Sequence, residues 1–149
     1  LNRTFSIELD TDNVTNQQQS GRCWLFSTLN VVRHNFGKAN KAKNFTFSQS
    51  YNFFWDKIER ANYFYARIIA TADRPLTDRT VRGYFDWCQT DGGQWHMAAS
   101  LIAKYGVVPA YAMPESFNSN HSKALDMVLA DKERKDALTL RRLAQAGDQ

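Results

Sequence analysis

The stretch Gln17-Gln18-Gln19-Ser20-Gly21-Arg22-Cys23-Trp24-Leu25-Phe26 sets a thiol where a polar loop turns into an apolar helix. Downstream, Leu25, Leu29, Val32 and Phe36 fall on one helical stripe, with Ser20 as the expected N-cap and Gly37 as the expected stop. Cys23 then lies in the first turn. A helix N-terminus carries partial positive charge and unpaired N–H groups, which favour a thiolate, the reactive form of cysteine. Gly21 lets the backbone approach closely. The Cys23 N–H and the side-chain amide of Gln17, six residues upstream, can both donate to a developing oxyanion; one such donor contributes roughly 3 kcal/mol of transition-state stabilisation. Helix position alone also fits a small buried thiol, so the rest of the chain must decide.

Working outward, Phe5, Ile7 and Leu9 alternate and suggest a short strand before the loop. Ser48 can cap a second helix whose aromatic face runs Tyr51, Phe54, Trp55, Ile58, Tyr65, Ile68 and Ile69, ending by Arg74-Pro75. A shorter helix is expected over Thr80 to Cys88, a turn at Thr90-Asp91-Gly92-Gly93, and a third helix over Gln94 to Tyr105 that stops at Gly106. Val107-Val108 suggests a short extended piece. From Ser122 onward, Leu125, Val128, Leu129 and Leu138 indicate a charged amphipathic helix.

With 149 residues the chain has room for one core, and 43% hydrophobic content favours folding over disorder. A net charge of +4 spread along the chain reads as a solvated surface rather than a nucleic-acid face. Two cysteines, Cys23 and Cys88, cannot build a disulfide framework. No apolar run approaches the ~20 residues of a membrane span, so no membrane partner is expected. No metal-ligand spacing occurs, and no cofactor is expected.

The string around Cys23 resembles the active-site segment of papain-like cysteine peptidases, whose signature is Cys-Gly-Ser/Ala-Cys-Trp/Tyr. Ser20 replaces the first cysteine and Arg22 the small residue. The likeness narrows with further blocks in order: Phe47-Ser48-Gln49-Ser50-Tyr51 with Phe53-Phe54-Trp55-Asp56-Lys57, then Asp91-Gly92-Gly93-Gln94-Trp95, then Lys104-Tyr105-Gly106-Val107-Val108-Pro109. Together these resemble the bleomycin hydrolase and aminopeptidase C family, nearest its bacterial aminopeptidase C branch through Asn62-Tyr63-Phe64 and Lys135-Asp136-Ala137-Leu138-Thr139-Leu140-Arg141. The resemblance implies an α+β papain-like fold, here its mainly helical left-hand half. It implies Cys23 as nucleophile, Gln17 as the oxyanion-hole glutamine, and Gly92 and Gly93 as the pair whose backbone meets an extended peptide substrate. It further implies a cytoplasmic cysteine aminopeptidase, homohexameric at full length. Without it, Gly92-Gly93 is an ordinary turn and Cys88 a buried structural thiol.

Such a peptidase needs a histidine base oriented by Asn or Asp. His34 lies eleven residues along the Cys23 helix, about 16 Å away by helical rise. His96 follows the glycine turn, and His121 sits in a polar loop; neither matches a catalytic position. Residues 1–149 therefore read as a partial peptidase domain, cut at both ends, lacking the half that carries the histidine. The alternative is a non-catalytic, truncated binding module whose basic tail (Lys132, Arg134, Lys135, Arg141, Arg142) meets acidic partners or nucleic acid. A redox-sensing thiol ranks third, with Cys88 as the only available resolving partner.

Overall fold

The computed structural model describes residues 3–8 and 13–147. Six helices follow in order: α1 (Cys23–Asn40), α2 (Gln49–Ala70), α3 (Arg79–Asp86), α4 (Trp95–Tyr105), α5 (Phe117–Asn120) and α6 (Lys123–Ala146). Among the described residues, β-pairing is confined to two isolated bridges, Gln19 with His121 and Phe47 with Pro109. The second bridge is the extended piece expected at Val107-Val108: Ser48 N–H donates to Val108 O at 2.8 Å and Ala110 N–H to Thr46 O at 2.9 Å.

Helix α2 is the spine. Its first half packs with α1 and α4 around Trp24, Leu25, Leu29, Phe53, Ala98 and Leu101. Its second half packs with α6 around Phe64, Ile68, Ala130 and Ala137, where Cys88 is also buried. Ser48 caps α2 as expected, its hydroxyl accepting the Tyr51 N–H at 3.0 Å, and α4 stops at Gly106 with φ of 74°. Asp78 starts α3 by accepting the N–H groups of Thr80 and Val81, at 2.8 and 3.1 Å.

The hydrophobic stripes are not always the buried ones. On α2, Phe54, Ile58 and Ile69 are exposed, whereas Asn52, Phe53, Asp56, Lys57 and Phe64 face inward. The helix turns its polar residues in because partners wait there: Asn52 Nδ2 donates to Gly106 O at 3.1 Å, and the Arg60 guanidinium meets Asp56 at 2.8 Å. Burial still pushes the Asp56 carboxyl above its usual range, partly offset by Arg60. On α6, Val128 and Leu138 are exposed and the buried stripe is Ala130, Glu133, Ala137 and Arg141. Two alanines let α6 approach α2 closely, and the two charged side chains find hydrogen-bond partners in Gln89 and the Thr71 carbonyl.

Three local expectations are corrected. Helix α1 runs past Gly37 to Asn40, because Lys41 takes the left-handed capping conformation and returns its N–H to Gly37 O. Phe5 and Ile7 are 72% and 77% exposed and form no strand, having no neighbouring strand to pair with; Leu9 lies outside the described residues. Ser20 does not cap α1. The N-cap is Arg22, with no side-chain cap.

Candidate active site

With Arg22 at the N-cap, Cys23 is the first residue of α1 and is exposed, unlike the buried Cys88. That exposure excludes the reading of Cys23 as a small core residue. The first intrahelical bonds come from Leu25 and Phe26 N–H, both to Arg22 O at 3.0 Å. Among the described residues no acceptor meets the N–H of Cys23, so it remains available beside the thiol.

The loop before Cys23 folds back on itself. Gln17 Nε2 donates to Ser20 O at 2.6 Å, and Ser20 Oγ donates to Gln17 O at 2.7 Å. This closed ring fixes the Gln17 amide while leaving its second hydrogen to donate elsewhere. The turn is completed by Gln18 in the left-handed region, φ 54°, with its N–H bonded to Asn16 Oδ1 at 2.8 Å.

Asp91 joins this loop to the glycine pair. Its Oδ2 accepts the Gly21 N–H at 2.9 Å and the Ser122 hydroxyl; its Oδ1 accepts Lys57 Nζ at 2.8 Å; its carbonyl accepts the Trp24 indole N–H at 2.7 Å. Lys57, itself 7% exposed, also meets Asp126 Oδ1 at 2.5 Å. One ammonium thus faces two carboxylates. Burial opposes ionisation of Asp91, but hydrogen bonds from Asp126, Lys57, Ser122 and Gly21 outweigh it and hold the carboxyl below its usual range. Asp126 takes the opposite course: burial first, then the neighbouring Asp91, pushes it up to about 6.

Gly93 lies against the Trp24 indole, where an added Cβ would come within 2.5 Å of Cε2. Gly92 is exposed, with nothing within 4 Å of such an atom, and its carbonyl accepts Arg60 Nη2 at 2.6 Å. The two glycines therefore differ. Gly93 seats the loop on the first turn of α1 through the same tryptophan that Asp91 holds, while Gly92 is exposed, with its carbonyl held by Arg60. Trp95, at 58% exposed, is no core residue.

The structure brings Gln17, Cys23 and the Gly92-Gly93 loop to the same end of α1, with Asp91 as their common support. No histidine joins them: among the described residues no hydrogen bond links Cys23 to a histidine. His121 is pinned by its bridge to Gln19 and by stacking on Phe117 at 4.7 Å and 14°. His96 is exposed in the first turn of α4.

The basic tail is largely engaged. Buried Arg141 donates to the carbonyls of Thr71 at 2.8 Å, Ala72 at 3.3 Å and Arg74, closing the end of α2. Lys132 pairs with Asp136 at 2.8 Å, and Arg134 donates to Phe85 O at 3.0 Å. Arg141 and Arg134 thus brace neighbouring elements, while Lys132, 72% exposed, pairs along its own helix. Among the described residues no three His, Cys, Asp or Glu side chains gather as metal ligands, and no helix is long and apolar enough to cross a membrane.

Sequence reasoning missed Asp91, Lys57 and Ser122 as supports of the site. Asp91 stood in a turn string that marks turns generally, and its partners Gly21 and Trp24 lie 70 and 67 residues away.

Comparison with known proteins agrees with this architecture. The profile of the Peptidase C1-like family matches residues 1–149. Aminopeptidase W of Lactobacillus delbrueckii subsp. lactis is 97% identical over 149 residues, covering 100% of this chain and 34% of that protein. Aminopeptidase C of Listeria monocytogenes is 51% identical over 138 residues, covering 93% of this chain and 31% of that protein. The crystal structure of PepW from Lactobacillus rhamnosis HN001 superposes with a TM-score of 0.94 at 51% identity, over 99% of this chain and 33% of that one. The chain spans about a third of the length of the curated relatives it matches. Its helices reproduce the corresponding part of a papain-like fold, and the chain belongs to the Peptidase C1-like family.

Proposed function

We propose that this chain is the nucleophile-bearing part of a cysteine aminopeptidase that releases N-terminal residues from peptides. Cys23 attacks the first peptide carbonyl, forming a C–S bond; the Cys23 N–H and the Gln17 amide hold the oxyanion; the amine leaves with a proton, and water then hydrolyses the thioester. The backbone of the Gly92-Gly93 loop pairs with the extended substrate, which approaches the exposed side at Gly92. The observation that carries this reading is the exposed thiol of Cys23 on the first residue of α1, whose start has no side-chain cap, with Gln17 held to Ser20 in the loop that leads into it. Names of the relatives support aminopeptidase action, since the aminopeptidases W and C both align through this segment.

The base and its orienting amide are proposed to come from residues outside these 149, because among the described residues none of His34, His96 and His121 is hydrogen-bonded to Cys23. A partial domain completed by that half is the domain reading we favour, with a homohexamer and a cytoplasmic location for the whole enzyme. Two free cysteines are compatible with a reducing compartment. A thiol-directed peptidyl epoxide tests the assignment in the complete enzyme. One adduct on Cys23, with hydrolysis lost in proportion, is expected; an adduct on Cys88 alone, or loss of activity without modification of Cys23, would sink it.

A further inference from the structure

Arg22 is 0% exposed, an unusual state for a guanidinium one residue before an exposed nucleophile. It lies between two aromatic faces, its Cζ 4.9 Å from the Phe26 centroid and 5.2 Å from that of Phe53. Its charge is met by Glu115, through Nη1 to Oε1 at 3.1 Å and Nη2 to Oε2 at 2.9 Å. One hydrogen bond and one ion-pair contact thus tie the guanidinium to this carboxylate, and its Nε–H donates to Ser20 Oγ at 2.8 Å. Ser20 is the residue whose hydroxyl and carbonyl hold Gln17. Glu115 also reaches the loop by a second arm. Its Oε2 accepts the Ser119 hydroxyl at 2.6 Å, Ser119 closes the capping box of α5, and Asn120 O at the end of α5 accepts the Gln19 N–H at 2.9 Å.

We propose that Glu115 is a positioning residue of the reaction, acting through Arg22 and Ser20 to aim the Gln17 amide at the oxyanion. The proposal rests on the reading of Gln17 as an oxyanion donor. Burying a guanidinium costs desolvation that an apolar side chain of similar volume avoids, so stability alone is a poor reason for the pair. Geometry is the better reason. An oxyanion donor must be held within roughly 0.5 Å of its productive position, and a displacement of about 1 Å costs on the order of 100-fold in rate. The Gln19 bridge to His121 and the Gly21 bond to Asp91 hold the backbone of this glutamine loop, but neither reaches the Gln17 side chain, which is held through Ser20. The fixed guanidinium supplies the reference point, and Glu115 fixes the guanidinium.

The test is made in the complete enzyme carrying this chain, with an aminoacyl p-nitroanilide as substrate. Cys23→Ser is measured first; retained activity there would overturn the proposed function itself, whatever Glu115 does. Glu115→Gln keeps the shape at a position 33% exposed, and Arg22→Lys keeps the charge while removing the Nε donor. Both variants are expected to lower kcat about 10- to 100-fold with KM within about twofold. The rate of Cys23 alkylation by iodoacetamide, which needs no oxyanion hole, is expected to stay within about twofold. In a Gln17→Ala background, Glu115→Gln should change kcat by less than about twofold, because its target is already gone. Full additivity in that background, parallel loss of alkylation rate, or unchanged kcat in Glu115→Gln would each overturn the proposal.

Discussion

Gly21 and Asp91, seventy residues apart, are in contact through both backbone and side chain: the Gly21 N–H donates to Asp91 Oδ2 at 2.9 Å, and a Cβ on Gly21 would lie 2.6 Å from Asp91 Cβ. The Cys23 loop and the glycine loop are thus one unit. Gly21→Ala must drive them apart or bend one of them, since the clash is with a side-chain stem rather than a flexible tip. A loss of about 1–3 kcal/mol in urea unfolding is expected, together with reduced hydrolysis. Unchanged stability would contradict the contact.

Gly93 and Gly92 separate packing from binding. Gly93→Ala places a methyl against the buried Trp24 indole and is expected to cost about 1–3 kcal/mol of stability. Gly92→Ala meets nothing in the fold, so stability should hold within about 0.5 kcal/mol. If its backbone pairs with the peptide, the methyl stands in the substrate's path and KM rises. Equal effects of the two substitutions on stability would refute the distinction.

Asp126 makes a pH prediction with a definite sign. Its carboxyl is pushed up to about 6 from 3.8, by burial and by Asp91, with Lys57 opposing. Lys57, Asp91 and Ser122 meet at this cluster. The folded state therefore keeps a proton that the unfolded chain releases near pH 4. That contribution is complete below about 4 and is lost as pH rises through 6. Asp126→Asn cannot lose it. The variant's Tm relative to the unmodified protein should climb between pH 4 and 6 and level off above 7. A difference that is flat, or that falls with pH, would exclude the raised carboxyl.

The parts legible in the sequence are those set by local chemistry. Ser48 and Gly106 bound their helices through capping and a positive φ, and both effects act within a few residues. Cys23 at the head of α1 was legible because loop, glycine and apolar stripe are contiguous. The inward faces of α2 and α6 are not legible, because hydrophobicity does not mark the buried side of either helix. Lys57, Glu133 and Arg141 are buried on account of partners far along the chain, such as Gln89 for Glu133 and Thr71 for Arg141. Ser20 was misread as a cap for a related reason: its hydroxyl is already committed to Gln17 and Arg22. Arg22 itself was visible as a departure from a small residue, yet nothing local indicated Glu115, 93 residues away.

The central claim is that Cys23 is the nucleophile. Its most direct measurement is kcat for an aminoacyl p-nitroanilide in the complete enzyme carrying Cys23→Ala, with Cys88→Ala alongside. Loss of the nucleophile is expected to lower kcat by a factor on the order of 10⁴ or more, with Cys88→Ala within about threefold of the unmodified enzyme. Hydrolysis by Cys23→Ala at a rate near that of the unmodified enzyme would contradict the account.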